Sequence, residues 1–421
     1  MKITILAVGT RGDVQPYVAL GRGLCRRGHA VRLAAAADFE TFVRAHGLDF
    51  ARLDANFRDL MQADGLQHGM QSRNPLRRMQ EVMGLVQETV RRFAADTWEA
   101  CQGAEAIIFS TIAVTGYSVA ERLGVPSCWA PLTPMTPTRA FSTALWPFAG
   151  GHPVLNLLSH RIADQVAWQP ARTFINRWRA SLGLSPFPLV GPTLKLERER
   201  YPVLYGFSPF VVPKPADWSD AVHVPGYWFL DREAGWQPPG ALAKFIESGA
   251  PPVYIGFGSM INRSAQALTR TVVEALKLCG QRAVVATGWD SLSRDELGDL
   301  AFSVDSVPHD WLFPRMAAVV HHGGAGTTAA GLRAGVPSVI VPFAADQPFW
   351  ARRVFELGAG TRPTAVQDLT AQGLAQAITT AVTDHGMQEC AEALGQKIRA
   401  EDGVERAVEV FEDRVIGRAR R

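Results

Sequence analysis

A glycine-rich turn at 321–328 brings together the residues whose types and spacing best fit a chemical role. It contains two histidines, a Gly-Gly-Ala-Gly run and two threonines, between an apolar run at 317–320 and a helical pattern at 329–334. Glycines let the backbone approach a ligand, and the free N–H groups of a helix N-terminus favour negative charge. Threonine hydroxyls and an imidazole can add hydrogen-bond donors. The turn therefore predicts a phosphate or diphosphate site.

A second polar turn, at 9–13, follows the apolar run from Ile3 to Val8. Ligands of open α/β sheets bind beyond the carboxyl ends of strands, so the two turns could face each other across a cleft. Asp13 is then the candidate general base for a hydroxyl group, with a pKa raised by closure of the cleft. The alternative is that Asp13 is only the N-cap of the first helix. Arg11 could bind phosphate, pair with Asp13 or be an exposed turn residue.

Several other functional classes are disfavoured by the sequence. It contains no GxxxxGK[ST] motif, and no GxGxxG follows the first strand, which argues against P-loop hydrolases and dinucleotide enzymes. The net charge of only +3 lacks the excess of basic residues that is typical of nucleic-acid-binding proteins. Five scattered cysteines without a CxxC pair indicate reduced thiols in a cytoplasm. No run approaches the roughly 18 apolar residues of a membrane span, so we expect none.

The elements that position these turns follow an alternating pattern of strands and helices. Such alternation predicts an α/β fold with parallel sheets covered by helices on both faces. A chain of 421 residues is long enough for two domains of ordinary size. A stretch rich in proline and tryptophan marks the division between them. We expect a first domain at 1–212, a linker at 213–240, a second domain at 241–400 and a closing helix at 401–421.

The segment from 308 to 347, which reads PHDWLFP…HHGGAGTT…LRAGVPSVIVPF…DQ, resembles the donor-binding signature of family 1 glycosyltransferases. It is most similar to the sterol glucosyltransferase branch, and glycopeptide-antibiotic glycosyltransferases are similar too. The resemblance implies the GT-B fold, in which two Rossmann-like domains with parallel sheets face each other across a cleft. It also implies a metal-independent, inverting sugar transfer without a cofactor. UDP-glucose is the expected donor and a dTDP-sugar the alternative, with a sterol, polyketide, polyphenol or antibiotic aglycone as the hydrophobic acceptor.

The resemblance also implies roles for single residues. Asp13 takes the position of the base, which in many members is a histidine paired with a later aspartate. The corresponding point of this chain reads Phe109-Ser110-Thr111, so such a dyad cannot form. The residues expected to bind the donor are Arg11, Gly12, Ser259, Trp289, His309, Trp311, His322, Gly324, Gly326, Thr327, Thr328, Asp346 and Gln347. Within that set the sugar hydroxyls are expected to contact Asp346 and Gln347.

Simpler interpretations exist for several of these residues. Trp289 could be a core residue, and Asp346 with Gln347 could only cap the loop before the next helix. The pair His321 and His322 could be buried, or could form a metal site with His309. We expect no metal there, because no carboxylate lies at ligand spacing.

Two segments, 54–100 and 131–160, do not follow the alternating pattern of strands and helices and are rich in methionine, proline or aromatic residues. Such segments after strand ends form loops and short helices over a crevice, and flexible apolar side chains there can hold a hydrophobic ring system. The same side chains could equally be ordinary core. The residues expected to line an acceptor pocket are Met70, Met83, Met135, Phe141, Trp146 and Phe148.

Two other functions stay open at this point. A nucleotide-sugar epimerase can share the GT-B fold, but its chemistry needs several acidic and basic groups around the sugar. Only Asp13 and Asp346 are well placed for that purpose. A non-catalytic nucleotide-sugar-binding protein would bind UDP without transferring sugar to any acceptor.

Overall fold

Two parallel β-sheets form the frame of the protein. The computed structural model describes residues 1–53, 91–111, 113–145, 151–258, 265–286 and 300–417. Each sheet is covered by helices, and each belongs to a domain of its own. The predicted α/β class with two parallel-sheet domains is therefore confirmed.

The first sheet has seven strands in the described residues, in the order β3-β2-β1-β4-β5-β6-β7, and all neighbours are parallel. The central strand β1 is buried at every position but its first, because helices cover both faces of a parallel sheet. Its turn at 9–13 lies at the carboxyl edge. The strands are β1 (Lys2–Leu6), β2 (Ala30–Ala35), β3 (Asp49–Arg52), β4 (Ala106–Phe109), β5 (Ser127–Trp129), β6 (Val203–Leu204) and β7 (Val222–His223).

The second sheet has five described strands in the order β10-β9-β8-β11-β12, again all parallel. Strand β11 is flanked by β8 and β12, with His321 opposite both Gly256 and Ile340. The glycine-rich turn therefore follows an interior strand of the sheet, β11, and not an edge strand. The strands are β8 (Val253–Gly256), β9 (Ala283–Ala286), β10 (Ala301–Val304), β11 (Val319–His321) and β12 (Ser338–Ile340).

Helices connect the strands and cover the sheets. Residues 91–100 are helical as well. The helices with both ends described are α1 (Arg11–Arg26), α2 (Glu40–Ala45), α3 (Thr115–Leu123), α4 (Pro153–Ser181), α5 (Thr193–Arg198), α6 (Gly240–Glu247), α7 (Ala265–Cys279), α8 (His309–Leu312), α9 (Ala325–Ala334), α10 (Gln347–Glu356), α11 (Ala371–Thr383), α12 (His385–Arg399) and α13 (Gly403–Val410). Among them, none has the length and apolar character needed to cross a bilayer.

The end of the described chain packs on the first domain. Val408 of α13 and Phe411 just after it join the same buried cluster as Ile5 of β1. His29, which precedes β2, lies 2.9 Å from Glu412 through its Nε2 atom. Strand β7 also belongs to the first sheet, although it lies inside the stretch 213–240 that was predicted as linker.

An aromatic cluster joins the two domains behind the cleft. Phe207, which follows β6, packs edge-on against Trp350 of α10 with ring centres 6.1 Å apart. Phe141 packs against Phe349 of the same helix at 5.5 Å. Because interlocked aromatic rings resist sliding, these contacts fix how the carboxyl edges of the two sheets face each other.

Candidate active site

The N-termini of α1 and α9 meet at the narrowest part of the cleft between the domains. A Cβ atom added at Gly326 would lie only 3.6 Å from the Gly12 carbonyl oxygen and 3.7 Å from Gly12 Cα. Both distances are ordinary van der Waals contacts, so the two helix ends lie next to each other across the cleft. A cavity of about 1680 Å³ opens beside this point and is lined from both domains, by Arg11 and Gly12 on one side and Gly326 and Thr327 on the other.

The turn after β11 presents backbone donors to this cavity. Helix α9 begins at Ala325, four residues earlier than the sequence predicted, and its first intrahelical bond runs from Thr328 N to Gly324 O at 3.0 Å. The N–H groups of residues 325–327 therefore have no partner within the helix. Together with the helix dipole they favour an anion at this end.

Thr327 and Thr328 have different environments, and the prediction for Thr328 was wrong. Thr327 lines the cavity, whereas the Thr328 side chain is fully buried, with its hydroxyl sealed from solvent. The reason is the early start of α9, which places position 328 on the helix face that packs against the sheet. Only Thr327 can offer its hydroxyl to a ligand in the cavity.

The two neighbouring histidines serve different purposes. His321 is completely buried, and its Nδ1 accepts a hydrogen bond from Gly323 N at 3.1 Å, which shapes the turn. The His322 ring lies between Gly258 and Gly324, where added Cβ atoms would come within 3.2 Å of Cε1 and 2.6 Å of Nε2. Burial lowers the pKa of His322, although the negative charge of Asp346 raises it, so the imidazole is neutral at pH 7.

Asp13 lies at the start of α1 and is half-buried. Its Oδ2 accepts hydrogen bonds from Thr10 N at 2.7 Å and from Thr10 Oγ1 at 3.0 Å. The N-cap is therefore Thr10, and Asp13 closes a capping box from the third helical position instead of being the cap itself. Gly9 has a φ of +137°, and a side chain there would overlap the Asp13 carboxylate. The carboxylate is thus held in place by backbone geometry.

The Asp13 carboxylate has the properties of a base. Burial raises its pKa, the hydrogen bonds from Thr10 lower it, and the negative charge of Asp346 raises it further. Its Oδ1 accepts no hydrogen bond from the residues that the structure describes and is free to take one from a hydroxyl. A half-buried carboxylate whose pKa is raised is a stronger base than a solvated one.

Asp346 connects the two domains. Its Oδ2 accepts a hydrogen bond from Thr133 Oγ1 of the first domain at 2.8 Å and from Trp350 Nε1 at 2.9 Å. Thr133 was not predicted as a site residue, although it lies in the segment 131–160 assigned to the acceptor pocket. Asp13, His322 and Asp346 are therefore linked by charge across the domain boundary.

Gln347 is mainly a loop cap, as the simpler interpretation of the sequence proposed. Its side chain is buried, and Oε1 accepts hydrogen bonds from Phe343 N at 2.7 Å and Ala344 N at 3.2 Å. The carboxamide oxygen is therefore not available to a sugar hydroxyl. The preceding Ala345 has a φ of +56°, a strained value for a residue with a side chain. The strained residue directly precedes Asp346 in the chain.

The other end of the cavity is bounded by His309, next to Val307 and Pro308. The His309 ring stacks on Phe313, with ring centres 4.2 Å apart and planes 15° apart. Burial lowers the pKa of His309 to about 4, and the nearby Arg11 charge lowers it as well. The imidazole is therefore neutral and offers a flat face and polar edge, which suits a nucleobase.

Trp311 does not line the cavity, so its predicted role was wrong. Its side chain is buried between Trp236, at 5.5 Å between ring centres, and the Arg315 guanidinium, 4.6 Å above the ring. Helix α8 places position 311 toward the core and position 309 toward the cleft. Trp236 lines the cavity instead. In the sequence, Trp236 is only one of the tryptophans that mark the predicted linker at 213–240.

Arg11 lines the cavity and does not pair with Asp13. Its Nε donates to Gln15 Oε1 at 3.3 Å, and its guanidinium lies 4.3 Å from the centre of the Phe42 ring. The positive charge is thus held at the edge of the cavity. Of the three alternatives, this position contradicts only the pairing with Asp13. Arg11 is exposed and lines the cavity, so an exposed turn residue and a phosphate contact are both compatible with it, and phosphate binding stays a prediction.

Comparison with known proteins identifies this arrangement. Residues 3–142 match the model of the glycosyltransferase family 28 N-terminal domain, and residues 283–411 match that of the C-terminal domain of erythromycin biosynthesis protein CIII-like proteins. Over 98% of its length the chain is 39% identical to sterol 3-beta-glucosyltransferases of Cryptococcus neoformans var. neoformans serotype D and Emericella nidulans. The chain spans only 27% and 30% of the length of these two curated relatives. The chain belongs to the family 1 type of GT-B glycosyltransferases.

Solved structures show the same GT-B fold at lower sequence identity. The glycosyltransferase of kitacinnamycin superimposes with a TM-score of 0.75 at 21% identity, covering 98% of this chain and 99% of its own. Glycosyltransferase VinC in complex with dTDP gives a TM-score of 0.68 at 20% identity, covering 99% of this chain and 100% of its own. Glycosyltransferases of this kind use nucleotide-sugar donors.

Two of the residues predicted to line an acceptor pocket, Met135 and Phe141, are described. Phe141 is half-buried and packs among Trp218, His160 and Phe349, so it belongs to the aromatic cluster between the domains, and its role in an acceptor pocket stays a prediction. Met135 is half-buried, and its N–H donates to Tyr205 Oη at 3.0 Å. The remaining predicted residues lie outside the described part of the chain; these are Met70, Met83, Trp146, Phe148, Ser259 and Trp289.

No group of three or more histidine, cysteine, aspartate or glutamate side chains in the described ranges is arranged to hold a metal ion. Positive features that border the same cavity are instead the N-terminus of α9 and the side chain of Arg11. All five cysteines of the chain are unpaired thiols.

Proposed function

We propose that the protein is an inverting glycosyltransferase that moves a sugar from a nucleotide diphosphate to a hydroxyl of a hydrophobic small molecule. The observation that carries this proposal is the meeting of Asp13 from one domain with the N-terminus of α9 from the other. A base for the acceptor and a site for the leaving diphosphate then lie on opposite sides of one narrow gap, as inversion requires. In this proposal residues 1–212 supply the base and the acceptor pocket, residues 241–400 supply the donor site, and 401–421 return to the first domain.

The donor site would hold the diphosphate with the free amides of residues 325–327, the Thr327 hydroxyl and the His322 imidazole. Negative charge grows on the diphosphate as the glycosidic bond breaks, and preformed donors stabilise it without reorganisation. The positive end of α9 and Arg11 supply this field from the protein itself, so the proposed reaction needs no metal. Val307, Pro308 and His309 would receive the base.

UDP-glucose is the donor that we propose, because the relatives with the highest identity given above are named glucosyltransferases. A dTDP-sugar is the alternative, since VinC was solved with dTDP. Asp346 would accept hydrogen bonds from the sugar hydroxyls, and the Gln347 amide could only donate one.

We propose a cytoplasmic location, in keeping with five unpaired thiols.

The acceptor hydroxyl would donate to Asp13 Oδ1 and attack the anomeric carbon from the face opposite the diphosphate. Proton transfer to a carboxylate of raised pKa proceeds more readily than to a solvated one. The acceptor class follows from the named relatives, which act on sterols, and from the apolar character of segment 131–160. A sterol, polyketide, polyphenol or antibiotic aglycone has the required size and hydroxyl.

The test uses Asp13→Asn, which keeps the size of the side chain and its capping bonds but removes the base. We expect kcat to fall by about a thousandfold or more, while the affinity for UDP or dTDP changes little. A panel of nucleotide sugars and hydrophobic acceptors, read by mass spectrometry, gives the transferred mass. Asp38→Asn is the matched control, because Asp38 lines the same cavity away from α9.

Full turnover by Asp13→Asn would remove this residue from the mechanism. Incubation of the donor alone separates the epimerase, which would release an isomeric nucleotide sugar without any acceptor. A pure binding protein would bind nucleotide and transfer nothing to any member of the panel.

A further inference from the structure

The outer face of α4 carries a continuous row of exposed aliphatic side chains. Leu155, Leu158, Ile162 and Val166 follow one another at steps of three or four residues, so they share one side of the helix. Each is between 43% and 60% exposed, although aliphatic side chains of this size are usually buried. A contiguous apolar surface of this kind marks a place where another body binds.

A loop extends this row toward the C-terminal end of α4. Leu189 and Val190 are 65% and 46% exposed. The loop is fastened to the helix because Gln169 Nε2 donates to Leu189 O at 3.0 Å and Gln165 Nε2 donates to Val190 O at 2.8 Å. Residues 182–192 contain no charged side chain. The apolar surface therefore continues without interruption across the helix and the loop.

Two arginines stand at the end of this apolar surface. A cavity of about 410 Å³ is lined by Arg172 and Arg177, with Phe187 and Leu189 on its apolar side. Neither arginine forms an ion pair or a hydrogen bond with any residue in the described ranges. Two cationic side chains without counter-charges, next to exposed aliphatic groups, fit an anionic amphiphile.

The other charges of α4 are already neutralised. Arg161 pairs with Glu197 at 2.7 Å, and the buried Arg179 pairs with Glu121 at 2.9 Å. The helix has one acidic residue, Asp164, whose Oδ2 is sealed from solvent beneath the surface. The charge that the outer face presents is therefore only positive.

The inner face of α4 holds the segment that we assign to the acceptor side. Asn156 Nδ2 donates to the carbonyl of Arg139 at 3.0 Å, and Ser159 Oγ accepts from Thr143 N at 2.9 Å. His160 Nε2 lies 3.1 Å from the Phe141 carbonyl. Whatever binds the outer face is thus brought within one helix diameter of segment 131–145.

We propose that the outer face of α4 docks on a lipid bilayer with anionic headgroups. The aliphatic row would enter the boundary between headgroups and acyl chains, and Arg172 and Arg177 would contact lipid phosphates. Charge complementarity selects this partner, because the face combines apolar groups with uncompensated positive charge. The helix lies along the surface, in agreement with the lack of a spanning helix in the described residues.

Docking in this orientation presents segment 131–145 to the membrane, so an amphiphilic acceptor dissolved in the bilayer could reach the cleft without crossing water. This consequence rests on the proposed function. The docking itself does not, and it can be measured without any sugar transfer.

The experiment measures co-sedimentation of the full chain with vesicles of phosphatidylcholine, alone or mixed with phosphatidylglycerol, at low and high NaCl. One variant removes the row with Leu158→Gln, Ile162→Gln and Val166→Gln. A second removes the charges with Arg172→Gln and Arg177→Gln. The matched controls lie on other surfaces and are Leu278→Gln, which is 55% exposed, and the exposed Arg362→Gln.

The wild-type chain should bind the anionic vesicles and be released from them by salt, because salt screens exposed charges. The arginine variant should lose about 30-fold in partition coefficient on anionic vesicles and no longer respond to salt. The partition coefficient of the row variant should fall about 100-fold on both vesicle types, because the three aliphatic side chains that would be buried in the bilayer have been replaced by polar ones. Both controls should bind like the wild type.

Three results would overturn the proposal. The first is a wild-type chain that binds neither vesicle type, and the second is a loss of binding in the controls as large as in the variants. The third is a wild-type dimer in solution that the row variant converts to a monomer without any vesicle binding, which would make this face a contact between two copies. Because the arginine variant changes one half-buried and one exposed side chain and no buried one, it keeps the test valid even if the row variant folds poorly.

Discussion

The two sides of the cleft are built on different principles. On the proposed donor side, β11, its glycine-rich turn and α9 are consecutive in the chain, and the groups that we propose to bind the ligand are mainly the backbone amides of residues 325–327. On the acceptor side, Asp13, Thr133 and α4 come from separate parts of the sequence. A site made of backbone tolerates changes of side-chain type but fails when space for the backbone is lost. A site made of distant side chains responds to each replacement separately.

After the loss of the base in Asp13→Asn, the largest effect should come from Gly324→Ala on the proposed donor side. The added Cβ would lie 2.6 Å from His322 Nε2, and Gly324 has an ordinary backbone conformation, so the change acts only by displacing the imidazole. We expect kcat/KM for the nucleotide sugar to fall by about a hundredfold, as for the loss of one donor to a developing anion. Steady-state kinetics with the donor varied, together with calorimetric titration of UDP and dTDP, measures this loss.

Gly240→Ala is the control for that variant, because a Cβ there meets no atom within 4 Å. Wild-type affinity for both nucleotides in Gly324→Ala would show that the imidazole does not contact the donor, and the comparison between the two sides would then lose its main support.

The next effect concerns a hydrogen bond that joins the two domains, from Thr133 to Asp346. Thr133→Val removes the donor to Asp346 Oδ2 but leaves the bond from Trp350. We expect about a tenfold lower kcat/KM, because a lost hydrogen bond to a charged group costs about 1.5–3 kcal/mol at most. The conservative variant Thr133→Ser keeps the hydroxyl and should retain most of the activity. Equal losses in both variants would mean that Thr133 acts through its volume instead.

The donor side was the part of the site that the sequence could predict, because its signature is local. The turn at 321–328, His309, Gly326 and Thr327 lie where the alternating pattern placed them. The start of α9 was predicted at 329 and lies at 325. That shift decides the burial of Thr328, since glycine and threonine are weak helix formers and do not mark a first turn.

The acceptor side was harder to predict, because its contacts join residues far apart in sequence. The bond between Thr133 and Asp346 spans 213 positions, and no spacing rule connects them. Phe141 and Trp311 were expected to line pockets, yet both pack against other aromatic rings. An aromatic residue next to a cleft looks the same in sequence whether it faces the ligand or the core. The fold was easier, because strand and helix periods repeat along the whole chain.

The pH dependence of turnover should report the charge coupling between the two sides. A base must be deprotonated, so kcat should fall as the pH drops through the raised pKa of Asp13. Asp346→Asn removes a negative charge that raises this pKa, and the acidic midpoint should move to lower pH. The midpoint, and not the absolute rate, is the readout, because Asp346 is also proposed to bind the sugar. A midpoint that does not move would show that the two carboxylates are not coupled.

The smallest effect should come from Phe141→Leu, which separates packing from chemistry on the acceptor side. The ring packs against Trp218, which precedes β7 of the first sheet, and against Phe349 of the second domain, at 6.2 and 5.5 Å between ring centres. Losing these aromatic pairs should lower the free energy of unfolding by about 1 kcal/mol, because leucine keeps most of the apolar area but not the ring geometry. Denaturant unfolding measures the change, and donor KM should stay near the wild-type value. A large rise in acceptor KM without any loss of stability would instead return Phe141 to the acceptor pocket.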